Sequence, residues 1–242
     1  MLRRIDKIDI KTLFLDGDRQ TPLHIAAQAG HVDVVASLLT AGAKSSVVTK
    51  EGLTPLIVAT FRGHREVVKL LLESGVPIDE ECGDFATALG AAAYTGENEI
   101  IQLLLAHGAD INKQVPRYGS ILEIAVWEDL DATVDLLLRK GADVHIEEGN
   151  FMNLLGVAAF RGNKQMIVEL LLDMGADISV ASDNGRFALH LAAHEGHVQV
   201  VQLLLERNAD PNAKTHTGKT PLMEASCSGH VATVELLLDK GA

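Results

Sequence analysis

The sequence predicts an all-α-type repeat solenoid, and three observations predict it. Related segments recur at a spacing of 33 residues along almost the whole chain. Each carries two short apolar blocks separated by a glycine turn. The composition, 47% hydrophobic but only 4% aromatic and rich in alanine and leucine, favours helix over sheet.

The first blocks read TPLHIAA from 21, TPLIVAT from 54, TALGAAA from 87, SILEIAV from 120, NLLGVAA from 153, FALHLAA from 187 and TPLMEAS from 220. Thr21, Thr54 and Thr220 precede Pro22, Pro55 and Pro221, the arrangement of a helix cap followed by proline at the first helical position. The second blocks run from VVASLLTAGA to TVELLLDKGA. Glycines at 30, 63, 96, 162, 196 and 229 suit the left-handed residue that ends the first helix, and those at 42, 75, 108, 141, 175 and 241 do the same for the second. Asp129 replaces the helix-ending glycine of the fourth repeat at some conformational cost. One step is 34 residues long, because NKQMIVE follows Gly162 where six residues are usual, and this predicts an altered start to that helix.

A period of 33 carrying T-P-L-H-x-A resembles the ankyrin repeat family, over about residues 16–242. The resemblance implies ankyrin helix-turn-helix plus β-hairpin repeats, stacked into a curved solenoid. The expected boundaries are 16–48, 49–81, 82–114, 115–147, 148–181, 182–214 and 215–242. No single repeat buries its own apolar faces, so neighbours must cover one another and the ends need covers. Residues 1–15, with Ile5, Ile8, Ile10, Leu13, Phe14 and Leu15, are expected to cap the first repeat. The last repeat stops at Gly241-Ala242 with an LLL block like an internal one. Further C-terminal repeats or end-to-end self-association are therefore expected.

A net charge of −12 disfavours nucleic acid as a partner. No stretch approaches a membrane span or a signal peptide, so the expectation is a cytoplasmic protein with no membrane partner. Two cysteines, Cys82 and Cys227, are too few for a disulfide framework or a four-ligand zinc site. Gly218-Lys219-Thr220 looks like part of a phosphate loop, but Ala213 stands where the earlier glycine is needed and Pro221 follows directly. His190, His194 and His197 look like a metal cluster, yet His190 matches His24 and His197 matches His31, His64 and His230 in the repeat. Hydrogen bonding to backbone is the expected role of these histidines. No nucleophile stands beside a base outside the repeat pattern, so no enzyme activity and no cofactor are expected.

Function is sought where residues depart from the repeat. Phe61, Tyr94, Trp127 and Phe160 stand 33 apart, just before the turn between helices. A second ladder, Phe85, Tyr118 and Phe151, takes hairpin positions held by Gly52, Gly185 and Gly218 elsewhere. Together they take seven of the nine aromatics. Repeats three to five, which carry the hairpin aromatics and read TALG, SILE and NLLG, are similar in wording to the ankyrin arrays of fungal receptor-like NTPases. Arg62, Arg117, Glu128 and Arg161 interleave with the aromatics, and His194 is the histidine the repeat does not explain. Aromatics with arginine have the composition of an interface. In the family, hairpin tips and the concave ends of the first helices usually form the partner surface. The expectation is a non-catalytic module binding a protein or peptide in a groove centred on Trp127. Two readings compete with it: a regulatory or sensor array contacting other domains of a longer chain, and aromatics that merely pack between repeats.

Overall fold

A computed structural model of the chain describes residues 18–80, 87–115, 118–145, 153–162 and 165–242. Its contacts divide the chain into two compact units, Met1–Ile111 and Asn112–Ala242. The first holds α1 (Pro22–Gln28), α2 (Val32–Thr40), α3 (Pro55–Phe61), α4 (Arg65–Glu73), α5 (Ala88–Thr95) and α6 (Asn98–Ala106). The second opens on β1 (Gln114–Val115) and β2 (Gly119–Ser120). It continues with α7 (Ile121–Trp127), α8 (Asp131–Arg139), α9 (Leu154–Arg161), α10 (Gln165–Asp173), α11 (Ala188–Glu195), α12 (Val198–Glu206), α13 (Pro221–Ser228) and α14 (Val231–Asp239). Within each unit the first helices of successive repeats pack in one row and the second helices in another. The core lies between the rows, where Leu71, Ile100, Leu104, Leu122, Ile124 and Leu137 are fully buried.

The first helices start where the threonines predict. Thr21, Thr54, Thr87, Ser120, Asn153 and Thr220 each accept a hydrogen bond from the backbone N–H three residues on. Each satisfies one otherwise orphaned donor, typically worth about 1 kcal/mol. Thr220 therefore serves as the helix cap expected of the Gly-Lys-Thr stretch.

The histidines join repeats through backbone carbonyls. His64 Nε2 donates to Gln28 O at 2.9 Å, His197 Nε2 to Phe160 O at 3.1 Å and His230 Nε2 to His194 O at 2.9 Å. In each case the acceptor belongs to the end of the preceding repeat's first helix, a carbonyl left free by helix geometry. His24 and His190 act one level lower. The N–H groups of Thr21 and Phe187 donate to their Nδ1 atoms, while their Nε2 atoms donate to Leu53 O and Lys219 O at 3.0 Å.

The rings of His64, His197 and His230 sit directly over the glycine turns at Gly30, Gly162 and Gly196. At Gly196 (φ 77°) a Cβ would lie 2.5 Å from His230 Nδ1. Gly196→Ala combines that clash with a left-handed backbone and should cost about 2 kcal/mol or more in urea unfolding. Asp129 occupies its turn at φ 56°, so the fourth repeat keeps the geometry without the glycine.

The expected hairpins take two forms. The β-hairpin implied for every repeat pairs as strands, among the described residues, only at β1 and β2, which are antiparallel with Gln114 opposite Ser120. In repeats two, six and seven it contracts to a tight turn. There Thr49, Ser182 and Thr215 donate to Leu53, Arg186 and Lys219 carbonyls, and Gly52, Gly185 and Gly218 lie at positive φ. One cross-strand bond per turn leaves no ladder to propagate. The altered start expected of the fifth repeat's second helix falls on Asn163 and Lys164, outside the described residues; α10 begins at Gln165, three residues after Gly162 instead of two.

Candidate protein-binding surface

The two units present their candidate residues separately. In the first, Phe61 ends α3 and stays 41% exposed. Its ring stacks on Tyr94 of α5, with centroids 6.1 Å apart and planes 15° from parallel. Such an offset pair is worth about 1 kcal/mol beyond its buried area. Phe61 also walls a groove of about 290 Å³ between repeats one and two, with Leu53, Ile57 and Val58 as its apolar lining. Arg62, exposed, and Glu51 stand at its edge. The groove exists because the tight turn at Thr49–Leu53 brings Leu53 against the first turn of α1, where His24 Nε2 holds its carbonyl.

In the second unit Trp127 ends α7 and is half-buried. The Arg161 guanidinium lies 5.0 Å from the ring centroid, and Arg161 Nε donates to Trp127 O at 3.1 Å. One arginine thus caps the carbonyl end of α7 and covers one indole face by cation–π attraction. Ile121–Val126 are all buried beneath, so the tryptophan sits at the boundary between core and surface. Glu128 and Phe160 are half-buried, and Phe160 contributes its carbonyl to His197. Tyr118 is half-buried in the β1–β2 turn. His194, also half-buried, lies 3.2 Å from Ser228 Oγ and 3.4 Å from Glu224 Oε2. Phe85, Arg117 and Phe151 fall outside the described residues.

The structure therefore brings together Phe61 with Tyr94 and Trp127 with Arg161. The repeat spacing did not point to the apolar groove beside Phe61, because Val58 is an ordinary repeat residue and Leu53 stands in a column that varies between repeats, with Gln20, Arg186 and Lys219 elsewhere. Nor did it point to two buried carboxylates, Glu123 and Glu224. Both were visible as charges in otherwise apolar or neutral columns. Glu224 stands where the other repeats have Ile25, Val58, Ala91, Ile124, Val157 and Leu191, and Glu123 stands where two of them have His24 and His190. Burial alone pushes the Glu123 carboxyl up to about 7. Among the described residues no helix is long and apolar enough to cross a membrane.

Comparison with known proteins fits this architecture. A family model for ankyrin repeats in three copies matches residues 4–82, 78–148 and 154–242, so the chain belongs to the ankyrin repeat family. The crystal structure of the human ASB11 ankyrin repeat domain is similar, at 25% identity and a TM-score of 0.81, covering 92% of this chain and 99% of that one. No curated protein sequence matches the chain. Ankyrin repeats in general are protein–protein interaction modules. In all, 596 solved chains share the likeness, so the fold by itself names no partner.

Proposed function

We propose that the chain is a non-catalytic module that grips a protein or peptide partner along its hairpin turns and the inner ends of its first helices. The observation that carries this reading is Phe61, a large aromatic held at the surface by its stack on Tyr94 and opening onto an apolar groove edged by Arg62 and Glu51. Exposing that much ring costs stability in the free protein and is recovered when a partner side chain covers it. An arginine beside a rigid aromatic is the composition of an interface anchor. Trp127 under Arg161 supplies a similar anchor in the second unit, where a partner shields the open face of the indole.

The test is affinity for a captured partner. Phe61→Ala should weaken binding by about 30-fold, corresponding to roughly 2 kcal/mol at an interface anchor. Its cost in stability should be about 1–2 kcal/mol, from the lost stack on Tyr94 and the covered part of the ring, below the roughly 3–5 kcal/mol typical of a fully buried phenylalanine. Trp127 is the only tryptophan. Its emission should therefore shift to the blue when a partner covers the second unit. Unchanged affinity in Phe61→Ala and in Trp127→Ala would remove the support for this surface.

A further inference from the structure

We propose that a recess between the turns of repeats six and seven receives the carboxylate of an acidic side chain from a bound protein, on Arg186 and Lys219. This rests on the protein-binding reading and supplies the chemistry of one contact.

The recess has a volume of about 310 Å³ and is lined by Asn184, Arg186, Thr215, His216 and Lys219, with Glu224 as its floor. That floor is a carboxylate only 1% exposed, in a helix column that is apolar in every other repeat. Arg186 Nη2 donates to Glu224 Oε1 at 3.1 Å, and Lys219 Nζ lies 3.8 Å from the same oxygen. His194 Nδ1 faces the other oxygen at 3.4 Å. Arg186 and Lys219 are equivalent positions of neighbouring repeats, each one residue before the start of its α11 or α13 block, where repeats one and two have Gln20 and Leu53.

A buried carboxylate without cations would be costly, so one of the two positive charges suffices to hold it. The pair leaves a surplus of one positive charge at the mouth of the recess, in a chain whose net charge is −12. Glu224 draws both cationic groups to one side of the recess. The Arg186 and Lys219 side chains are 33% and 48% exposed, so donor capacity beyond Glu224 faces solvent. A single incoming carboxylate would accept charge-assisted hydrogen bonds from both, without having to order them first. A polyanion would meet the acidic remainder of the chain, whereas one carboxylate on an otherwise neutral segment is screened from it beyond about 8 Å.

The experiment follows backbone amide shifts of the full chain during titration with acetyl-Ala-Glu-Ala-Ala-amide, its Gln counterpart and inorganic phosphate. Saturable shifts at Asn184–Arg186 and Thr215–Lys219 with the Glu peptide, absent with the Gln peptide, are expected. Lys219→Gln should weaken them about 10-fold. Because Arg186 makes the closer contact to Glu224, at 3.1 Å against 3.8 Å for Lys219, its removal alone would leave Lys219 held on Glu224; the paired Arg186→Met, Glu224→Leu variant therefore serves as the second test, and it should abolish the shifts while remaining folded. Equal shifts with the Gln peptide, binding of phosphate alone, no shifts with any probe, or an unchanged response in Lys219→Gln would each overturn the proposal. A partner still lost by Phe61→Ala would then show that only this contact fails and that the wider reading stands.

Discussion

Replacing Glu123 by glutamine should raise the stability of the second unit at pH 8 and leave it nearly unchanged at pH 4.5. Glu123 lies in the first turn of α7, only 9% exposed, and burial raises its carboxyl from 4.5 to about 7. A carboxyl whose folded value is raised contributes stability that is fully present below its unfolded value and lost as pH rises through its folded one. The window is therefore pH 4.5 to about 7, and the full loss is on the order of 3 kcal/mol. Glutamine has the same shape and no proton to lose. The advantage of Glu123→Gln should grow across that window by up to about 1.4 kcal/mol per pH unit, then level off. Urea unfolding followed by Trp127 emission measures it, since Trp127 closes the same helix. A constant difference between pH 4.5 and 8 would show that Glu123 stays charged when folded.

His190→Ala should have a comparable effect of opposite sign. The ring is fully buried, accepts from the Phe187 N–H and donates to Lys219 O, so its removal strands two backbone groups and leaves a cavity. A cost of about 2–4 kcal/mol at pH 8 is expected. The same ring makes the protein sensitive to acid. Burial, partly offset by backbone acceptors, holds His190 below its ordinary value of 6.5, and His24 in the first unit likewise. A lowered folded value means stability that is present above pH 6.5 and lost as pH falls below it. Between pH 7 and 5.5 this loss runs against the gain from Glu123, and His190→Ala lacks it, so the stability gap between wild type and His190→Ala should narrow on acidification and the two curves converge. Parallel curves would place the acid sensitivity elsewhere. Glu123 and His190 thus oppose one another in the second unit, one favouring low pH and the other high.

Helix pairs, caps and turns were legible in the sequence because the repeat forces each of them at a fixed interval. Thr21, Gly30 and His64 each do one job that recurs, so one repeat explains the rest. The hairpins were less legible. Their strands depend on a few backbone bonds, and Gly52, Gly185 and Gly218 close turns too tight for a ladder. The aromatic positions were visible as departures from the repeat, but their pairing was not. Whether Phe61 meets Tyr94, or Arg161 lies over Trp127, depends on side-chain directions that spacing does not specify. Glu123 and Glu224 were visible in their columns, yet only burial shows that one titrates near neutrality and the other anchors two cations.

The most direct test of the protein-binding reading is the hydrogen-exchange footprint of the full chain with and without a bound partner. Added protection should fall on the turn at Thr49–Leu53 and the ends of α1, α3 and α5, and in the second unit on the ends of α7 and α9. Protection confined instead to α2, α4 and α6, or to α8 and α10, would place the partner on the opposite row of helices and contradict it.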